Sequence, residues 1–192
     1  MRALTTSRLL LRSWLAADLA PFAALNADPQ TMRFMPRCLA GGESAALAGA
    51  AQAELERRGF GLWAVALRAS AQFIGYVGLS VPSFTAHFTP CTEVSWRLQR
   101  DQWGHGYATE AARACLHFAF ATLQLPEVVS FTVPDNLRSR RVMERLGMRR
   151  LAGDDFEHPR LPPGHPLRPH VLYRLARHDF ASGGAPSLPA GG

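Results

Sequence analysis

The stretch QWGHGYAT, residues 102–109, decides the fold of this chain. It follows the predicted strand Cys91–Leu98 and opens a segment, Gly106–Thr122, in which apolar residues recur at helical spacing. Two glycines, Gly104 and Gly106, let the backbone approach a ligand closely, and the N–H groups of the first helical turn then point at an anion. We expect a phosphate or pyrophosphate here, with a plain turn that starts a helix as the alternative.

The segments on either side predict a mixed sheet. Val128–Val133 is a second apolar run, and a strand, helix, strand crossover from Cys91–Leu98 makes these two strands parallel. A hairpin is predicted before them, formed by Gly61–Leu67 and Phe73–Ser80. Together with Cys91–Leu98, these two strands are expected to form an antiparallel meander. His170–Leu175 is predicted to close the sheet. Further elements are predicted as a strand over Leu9–Trp14 and helices over the stretch that ends at Asn26, over Glu43–Arg58 with Gly59 as its cap, and over Leu137–Leu146 with Asp135 or Asn136 as N-cap.

A second motif, PDNLRSRRVMERLGM at residues 134–148, gives the most specific signal. An Asn followed three residues later by Ser, then an apolar helix face ending in Leu-Gly and a large apolar residue, resembles a signature of the GNAT superfamily of N-acetyltransferases. QWGHGYAT is similar to that family's pyrophosphate-binding turn. The opening TSRLLLR, residues 6–12, and Asp28-Pro29 resemble the branch that includes the ribosomal-protein N-terminal alanine and serine acetyltransferases. The resemblance spans about Thr6–Leu175.

The resemblance implies a single-domain α/β (α+β) GNAT-like fold: a mixed, mostly antiparallel twisted sheet with helices on both faces and a splayed parallel strand pair that forms the acetyl-CoA cleft. We expect this domain over residues 1–180 and a disordered tail over 181–192, where nearly every residue is Gly, Ala, Ser or Pro. The implied activity is acetyl transfer from acetyl-CoA to a primary amine, on a protein N-terminus or a small molecule, by direct attack on the thioester. The implied cofactor-binding residues are Trp96, Arg97, Leu98, Trp103, Gly104, His105, Gly106, Tyr107, Ala108, Asn136 and Ser139.

Two residues are the candidate catalytic groups. Glu93 is a carboxylate in an apolar strand, where burial raises a pKa towards a value useful for a general base; a merely outward-facing strand residue is the alternative. Ser139 matches a Ser proposed to donate to the departing sulfur, although a first-turn helix Ser also bonds to backbone. Asn136 can cap its helix and contact the cofactor arm. One departure is Asp101, which stands where many members have Arg or Gln, so pyrophosphate binding must rely on backbone N–H groups with Gln102 or a nearby Arg.

Composition limits the alternatives. The chain has 192 residues and a net charge of +6, which favours an anionic ligand. It contains no Lys, which excludes pyridoxal phosphate chemistry and the Walker motif, and Thr109 breaks the Rossmann fingerprint. Nothing resembles a nucleic-acid reading motif, no apolar run suits a membrane, and the three separated cysteines are expected to be reduced, so we expect a cytoplasmic protein. A noncatalytic acyl-CoA-binding module or sensor is the alternative function, and a homodimer stays open.

The Pro- and His-rich segment 154–170 occupies the place where the family varies its acceptor site. A prolyl loop is stiff and suits a substrate wall. Its acidic residues Asp154, Asp155 and Glu157 could attract an amine cation or simply be solvated. The spacing of its histidines matches no standard zinc site, so we expect no metal.

Overall fold

The computed structural model describes residues 3–151 and 153–182, and within them it follows the predicted order of elements. The strands are β1 Leu4–Thr5, β2 Leu9–Arg12, β3 Leu62–Leu67, β4 Phe73–Ser80, β5 Glu93–Leu98, β6 Glu127–Thr132, β7 Arg149–Arg150, β8 Phe156–Glu157 and β9 Pro169–Ala176. The helices are α1 Leu19–Ala27, α2 Gly41–Arg58, α3 Tyr107–Ala121, α4 Leu137–Arg145 and α5 Arg177–Ser182, with 3₁₀ turns at Ala16–Asp18 and Arg100–Gln102.

The sheet has the strand order β1-β2-β3-β4-β5-β6-β9-β7, and β8 pairs with β9. Neighbouring strands are antiparallel except β5 and β6, which confirms the predicted meander and the predicted parallel pair. The parallel pair shares a single register position, Glu93 opposite Val129, beside a hydrogen bond of 2.9 Å from the Val129 N–H to the Thr92 carbonyl. Beyond it the strands splay apart towards their carboxyl ends. We call this junction the seam.

Side chains along β5 point alternately to the two faces of the sheet. Val94, Trp96 and Leu98 pack in the core that contains α3 and α4, and we call that side of the sheet the α3 face. Glu93, Ser95 and Arg97 point to the opposite side, the α1 face. The N-terminal strands of the α1 face are covered by α1 and α2 through a smaller core that includes Phe22, Ala48, Ala64, Phe73 and Tyr76.

A third cluster covers β6 and β9 on the α1 face. It combines Phe88, from the β4–β5 connection, with Val129 and Leu172, and partly buried aromatic side chains pack around these three residues. Rings of His158 and His170 join it, with centroids 5.0 Å apart. The α1–α2 pair and this aromatic cluster therefore flank a central strip of the α1 face on which β5 presents its outward side chains.

Two boundaries differ from the predictions. Helix α2 begins at Gly41, two residues before the predicted start, because the Glu43 carboxylate accepts the Ala40 N–H at 2.9 Å and satisfies a donor at the helix start. Helix α5 reaches Ser182, so the predicted tail does not begin at residue 181; its remainder, 183–192, lies outside the described residues. The three cysteines are free, as predicted. No described helix is long and apolar enough to cross a bilayer.

Candidate functional site

The glycine turn between β5 and α3 has the conformation that its sequence predicts. Gly104 and Gly106 lie in the left-handed region, with φ of 83° and 80°. A Cβ on Gly104 would meet nothing within 4 Å, so the requirement for glycine there is conformational. Helix α3 starts directly after Gly106, and the N–H groups of its first turn have no partners within the helix. The turn therefore has a geometry in which backbone N–H groups can donate to an anion.

Trp103 fixes the start of this turn. Its indole N–H donates to the carbonyl of Leu98 at 2.9 Å, which holds the turn against the end of β5. The guanidinium of Arg138 lies over the indole ring, 4.5 Å from the centroid. Because Arg138 belongs to the first turn of α4, this contact brings the two sequence motifs together at one edge of the sheet.

Arg8 is a cation at the same turn that the sequence analysis did not identify. Its Nη1 donates to the carbonyl of His105 at 3.0 Å, and its guanidinium lies 4.6 Å from the centroid of the Tyr107 ring. Its Nε donates to Glu110 at 2.6 Å, and Thr6 donates to the same carboxylate at 2.6 Å. Burial raises the pKa of Glu110, but these hydrogen bonds outweigh burial and hold the pKa below its usual value. The N-terminal segment is thus attached to the first turn of α3.

His105 and Tyr107 occupy this surface as stacked rings, 5.5 Å apart. His105 is exposed. Gln102 and Asp101 make no side-chain hydrogen bond among the described residues, and Arg8 and Arg138 are arginines that lie close to this turn.

The seam supplies backbone groups for a ligand. Ser95 to Leu98 pair on one side with β4, and in an antiparallel pair every second residue turns its N–H and C=O away from that partner. Beyond the Glu93–Val129 pair those outward groups face the gap to β6 rather than another strand. Unpaired backbone groups need hydrogen-bonding partners, and a chain of amides can provide them.

Glu93 lies at the closed end of the gap. Ser80 of β4 donates to its carboxylate at 3.2 Å. Desolvation raises the pKa of Glu93 from 4.5 to about 7, and the Ser80 hydrogen bond only partly opposes this increase. A carboxylate with a pKa near neutrality can accept a proton at physiological pH, which a solvated strand residue does not do efficiently.

Asn136 and Ser139 lie at the opposite wall of the gap. Asn136 is the N-cap of α4: its Oδ1 accepts the Ser139 N–H at 3.3 Å, which confirms the predicted cap. Its Nδ2 donates to Thr132 at 2.9 Å and so ties α4 to the end of β6. Among the described residues the Ser139 hydroxyl has no hydrogen-bond partner, which leaves its proton available to a ligand.

Several sequence candidates have structural roles instead. Each acidic residue of the segment 154–170 is paired with an arginine from a nearby strand or loop, so these carboxylates are not free to attract an amine. The pairs are Asp154–Arg174, Asp155–Arg150 and Glu157–Arg168. On α4, Arg140 donates to the carbonyl of Pro134 and to the hydroxyl of Tyr173.

The histidines of this segment do not form a metal site among the described residues, which contain no group of three potential ligands. Burial lowers the pKa of His158 to about 4 within the aromatic cluster, so that imidazole is neutral. The prolines of the segment do line a cleft on the α1 face, at the end of β6. Its lining residues are Phe34, Val133, Pro134, Asp135, Pro166, Leu167 and Pro169.

Comparison with known proteins agrees with this geometry. The family model described as an acetyltransferase (GNAT) domain matches residues 8–149. The chain is 32% identical to YkkB of Bacillus subtilis over 146 residues, which is 76% of this chain and 84% of YkkB. It is 31% identical over 134 residues to the FsC-acetyl coenzyme A-N(2)-transacetylase of Aspergillus fumigatus, covering 68% of this chain and 56% of that one.

Among solved structures, the acetyltransferase of Agrobacterium tumefaciens superposes with a TM-score of 0.72 at 28% identity, covering 91% of this chain and 94% of the other. The range matched by the family model, residues 8–149, includes both sequence motifs. The chain therefore belongs to the GNAT family of acetyltransferases.

Proposed function

We propose that this protein is an N-acetyltransferase that transfers an acetyl group from acetyl-CoA to a primary amine by direct attack on the thioester. The observation that carries the proposal is the coincidence of three features at one gap in the sheet: the anion-binding glycine turn, the unpaired backbone groups of β5, and Glu93 with a pKa near 7. Acetyl-CoA supplies the activated acyl group when it is bound.

The residues at the gap fit that ligand. The first turn of α3 and Arg8 provide donors and positive charge for a pyrophosphate. The outward backbone groups of Trp96 to Leu98 match the amides of a pantetheine arm and can donate to the thioester oxygen, where charge develops during attack. Asn136 positions the start of α4 beside the gap.

Glu93 and Ser139 divide the proton transfers. Glu93 accepts a proton from the ammonium or the attacking amine, directly or through a water molecule. Ser139 holds its hydroxyl proton towards the sulfur position. Because a thiol has a pKa of about 8.5, a thiolate is already a tolerable leaving group, so the contribution of Ser139 is smaller than that of Glu93.

The resemblance of residues 6–12 to the ribosomal-protein branch makes a protein N-terminus one candidate acceptor, and small amines are the other. A panel of N-terminal peptides and small amines, assayed for release of the CoA thiol, tests the activity. We expect release with at least one amine and loss of about 100-fold in kcat/KM for Glu93→Gln. Glu56→Gln, an exposed substitution on α2, is the matched control.

Release with no amine, together with tight CoA binding by calorimetry, would contradict an enzymatic role. That result would instead support a noncatalytic acyl-CoA-binding module. We propose a cytoplasmic location, because an intracellular pool supplies acetyl-CoA.

A further inference from the structure

Arg97 is held in a fixed position on the α1 face. Its Nη1 donates to Oδ1 of Asn26 at 2.6 Å, and its guanidinium lies 5.4 Å from the centroid of the Tyr76 ring. Asn26, at the end of α1, is itself fully buried, and its amide donates to Ser44 at 3.2 Å. The Arg97 side chain is thus oriented by two neighbours that are themselves fixed.

Neither neighbour neutralises the charge. Asn26 is an amide and Tyr76 is an uncharged ring, and no carboxylate pairs with Arg97 among the described residues. Two other half-buried arginines of the sheet differ in this respect: Arg12 pairs with Asp18, and Arg174 pairs with carboxylates on two sides. A partly desolvated guanidinium without a counterion is costly, whereas a bound anion would offset that cost.

The anion does not belong to the cofactor. The glycine turn and the N-terminus of α3 lie on the α3 face of β5, with Trp96 and Leu98. Arg97 points to the α1 face, where Glu93 also points, and the acceptor must approach Glu93. An anionic group on the acceptor is therefore the counterion that the position of Arg97 allows.

Spacing along the strand sets the size of this acceptor. Glu93 and Arg97 are four residues apart, which places their Cα atoms about 13 Å from each other on one face. A hydrogen bond of about 2.9 Å at each end takes up about 6 Å of this separation and leaves about 7 Å between the amine and the carboxylate of the acceptor. A free amino acid, whose amine and carboxylate are adjacent, is too short to reach both, whereas an extended peptide of two or three residues spans roughly 7–10 Å.

We infer that the acceptor is a peptide amine carrying a carboxylate two to three residues from that amine, and that Arg97 binds this carboxylate while the amine lies beside Glu93. The inference rests on the proposed function and makes Arg97 a specificity residue for it. The backbone of Arg97 keeps its separate place in the cofactor gap.

The test compares two acceptors that differ only in charge, Ala-Ala-Asp-amide and Ala-Ala-Asn-amide, at fixed acetyl-CoA. We expect the wild-type protein to use the Asp peptide with at least tenfold higher kcat/KM, through a change in KM. Arg97→Gln should reduce that ratio to about twofold or less, and Arg97→Lys should retain part of it. Arg100→Gln, which removes an exposed positive charge just beyond β5, should keep the wild-type ratio.

Three outcomes would overturn the inference. If Arg97 only anchors α1, Arg97→Gln slows both peptides equally and the ratio stays at its wild-type value. If the wild-type protein releases CoA with both peptides at the same rate, the inference fails while the proposed function stands, and this measurement needs no variant to fold. If no amine in the panel releases CoA, the proposed function fails and the inference fails with it.

Discussion

Replacement of Glu93 by Gln tests both the chemistry and the electrostatics of the site. Glutamine keeps the shape of the side chain and can still accept the hydrogen bond from Ser80, but it cannot ionise. With a pKa of about 7, only about a tenth of Glu93 is ionised at pH 6 in the wild-type protein. We therefore expect wild-type kcat/KM to depend on an ionisation near pH 7 in addition to that of the acceptor amine. We expect Glu93→Gln to lose most of the activity and to keep only the pH dependence of the amine.

The same substitution changes stability in a direction fixed by the pKa values. The pKa of Glu93 is raised from 4.5 to about 7 in the folded protein, so between these values the folded state keeps a proton that the unfolded chain has released. The wild-type protein consequently loses stability as the pH rises through this range. The loss is complete above about pH 7 and amounts to about 3 kcal/mol.

Urea unfolding at pH 5 and at pH 8 measures this effect. We expect Glu93→Gln to be nearly as stable as the wild type at pH 5 and more stable by up to about 3 kcal/mol at pH 8. Glu56→Gln, on the exposed surface of α2, should show no such gain. A Glu93→Gln protein that is less stable than the wild type at pH 8, or a difference that does not vary with pH, would refute a desolvated carboxylate at this position.

Three further predictions concern the cofactor gap. Ser139→Ala should lower kcat by about ten- to a hundredfold with little change in CoA affinity, whereas Asn136→Ala should also lower the melting temperature because it removes the α4 cap; identical profiles for the two variants would contradict separate roles. Gly104→Val should weaken CoA binding at least tenfold in calorimetry, since a β-branched residue opposes a φ of 83°, and unchanged affinity with the fold intact would misplace the site. Arg8→Gln should reduce CoA affinity more strongly at low salt than at high salt, and an effect independent of ionic strength would argue against a charge contribution.

The sequence predicted those parts of the site that depend on residues close together in the chain. The glycine turn, the amphipathic α3 and the Asn136 cap each depend on residues within one or two helical turns of each other. The crossover rule predicted that β5 and β6 are parallel, and in parallel strands the segments that follow each strand lie at the same edge of the sheet. The contact between Arg138 and Trp103 is the structural evidence for that juxtaposition.

Contacts across the sheet could not be predicted in the same way. Arg97 and Asn26 are 71 residues apart, and Arg8 and Glu110 are 102 apart. Their meeting depends on loop paths and rotamers that no periodic pattern encodes. The acidic residues of the segment 154–170 show the same limit, because their arginine partners were not identifiable before the strand register was known.

The narrow seam between β5 and β6 also divides the hydrogen-bonded sheet into two parts. A strand interior is normally protected by ladders on both sides, but here one bridge pair joins the half that contains β1 to β5 to the half that contains β6, β9 and β7. Each half can open without breaking the ladders of the other, so amide exchange should report two units of local stability. A ligand that spans the gap would supply hydrogen bonds that β5 and β6 do not make to each other. We expect it to couple the two halves into one cooperative unit, in which backbone amides on both sides exchange more slowly.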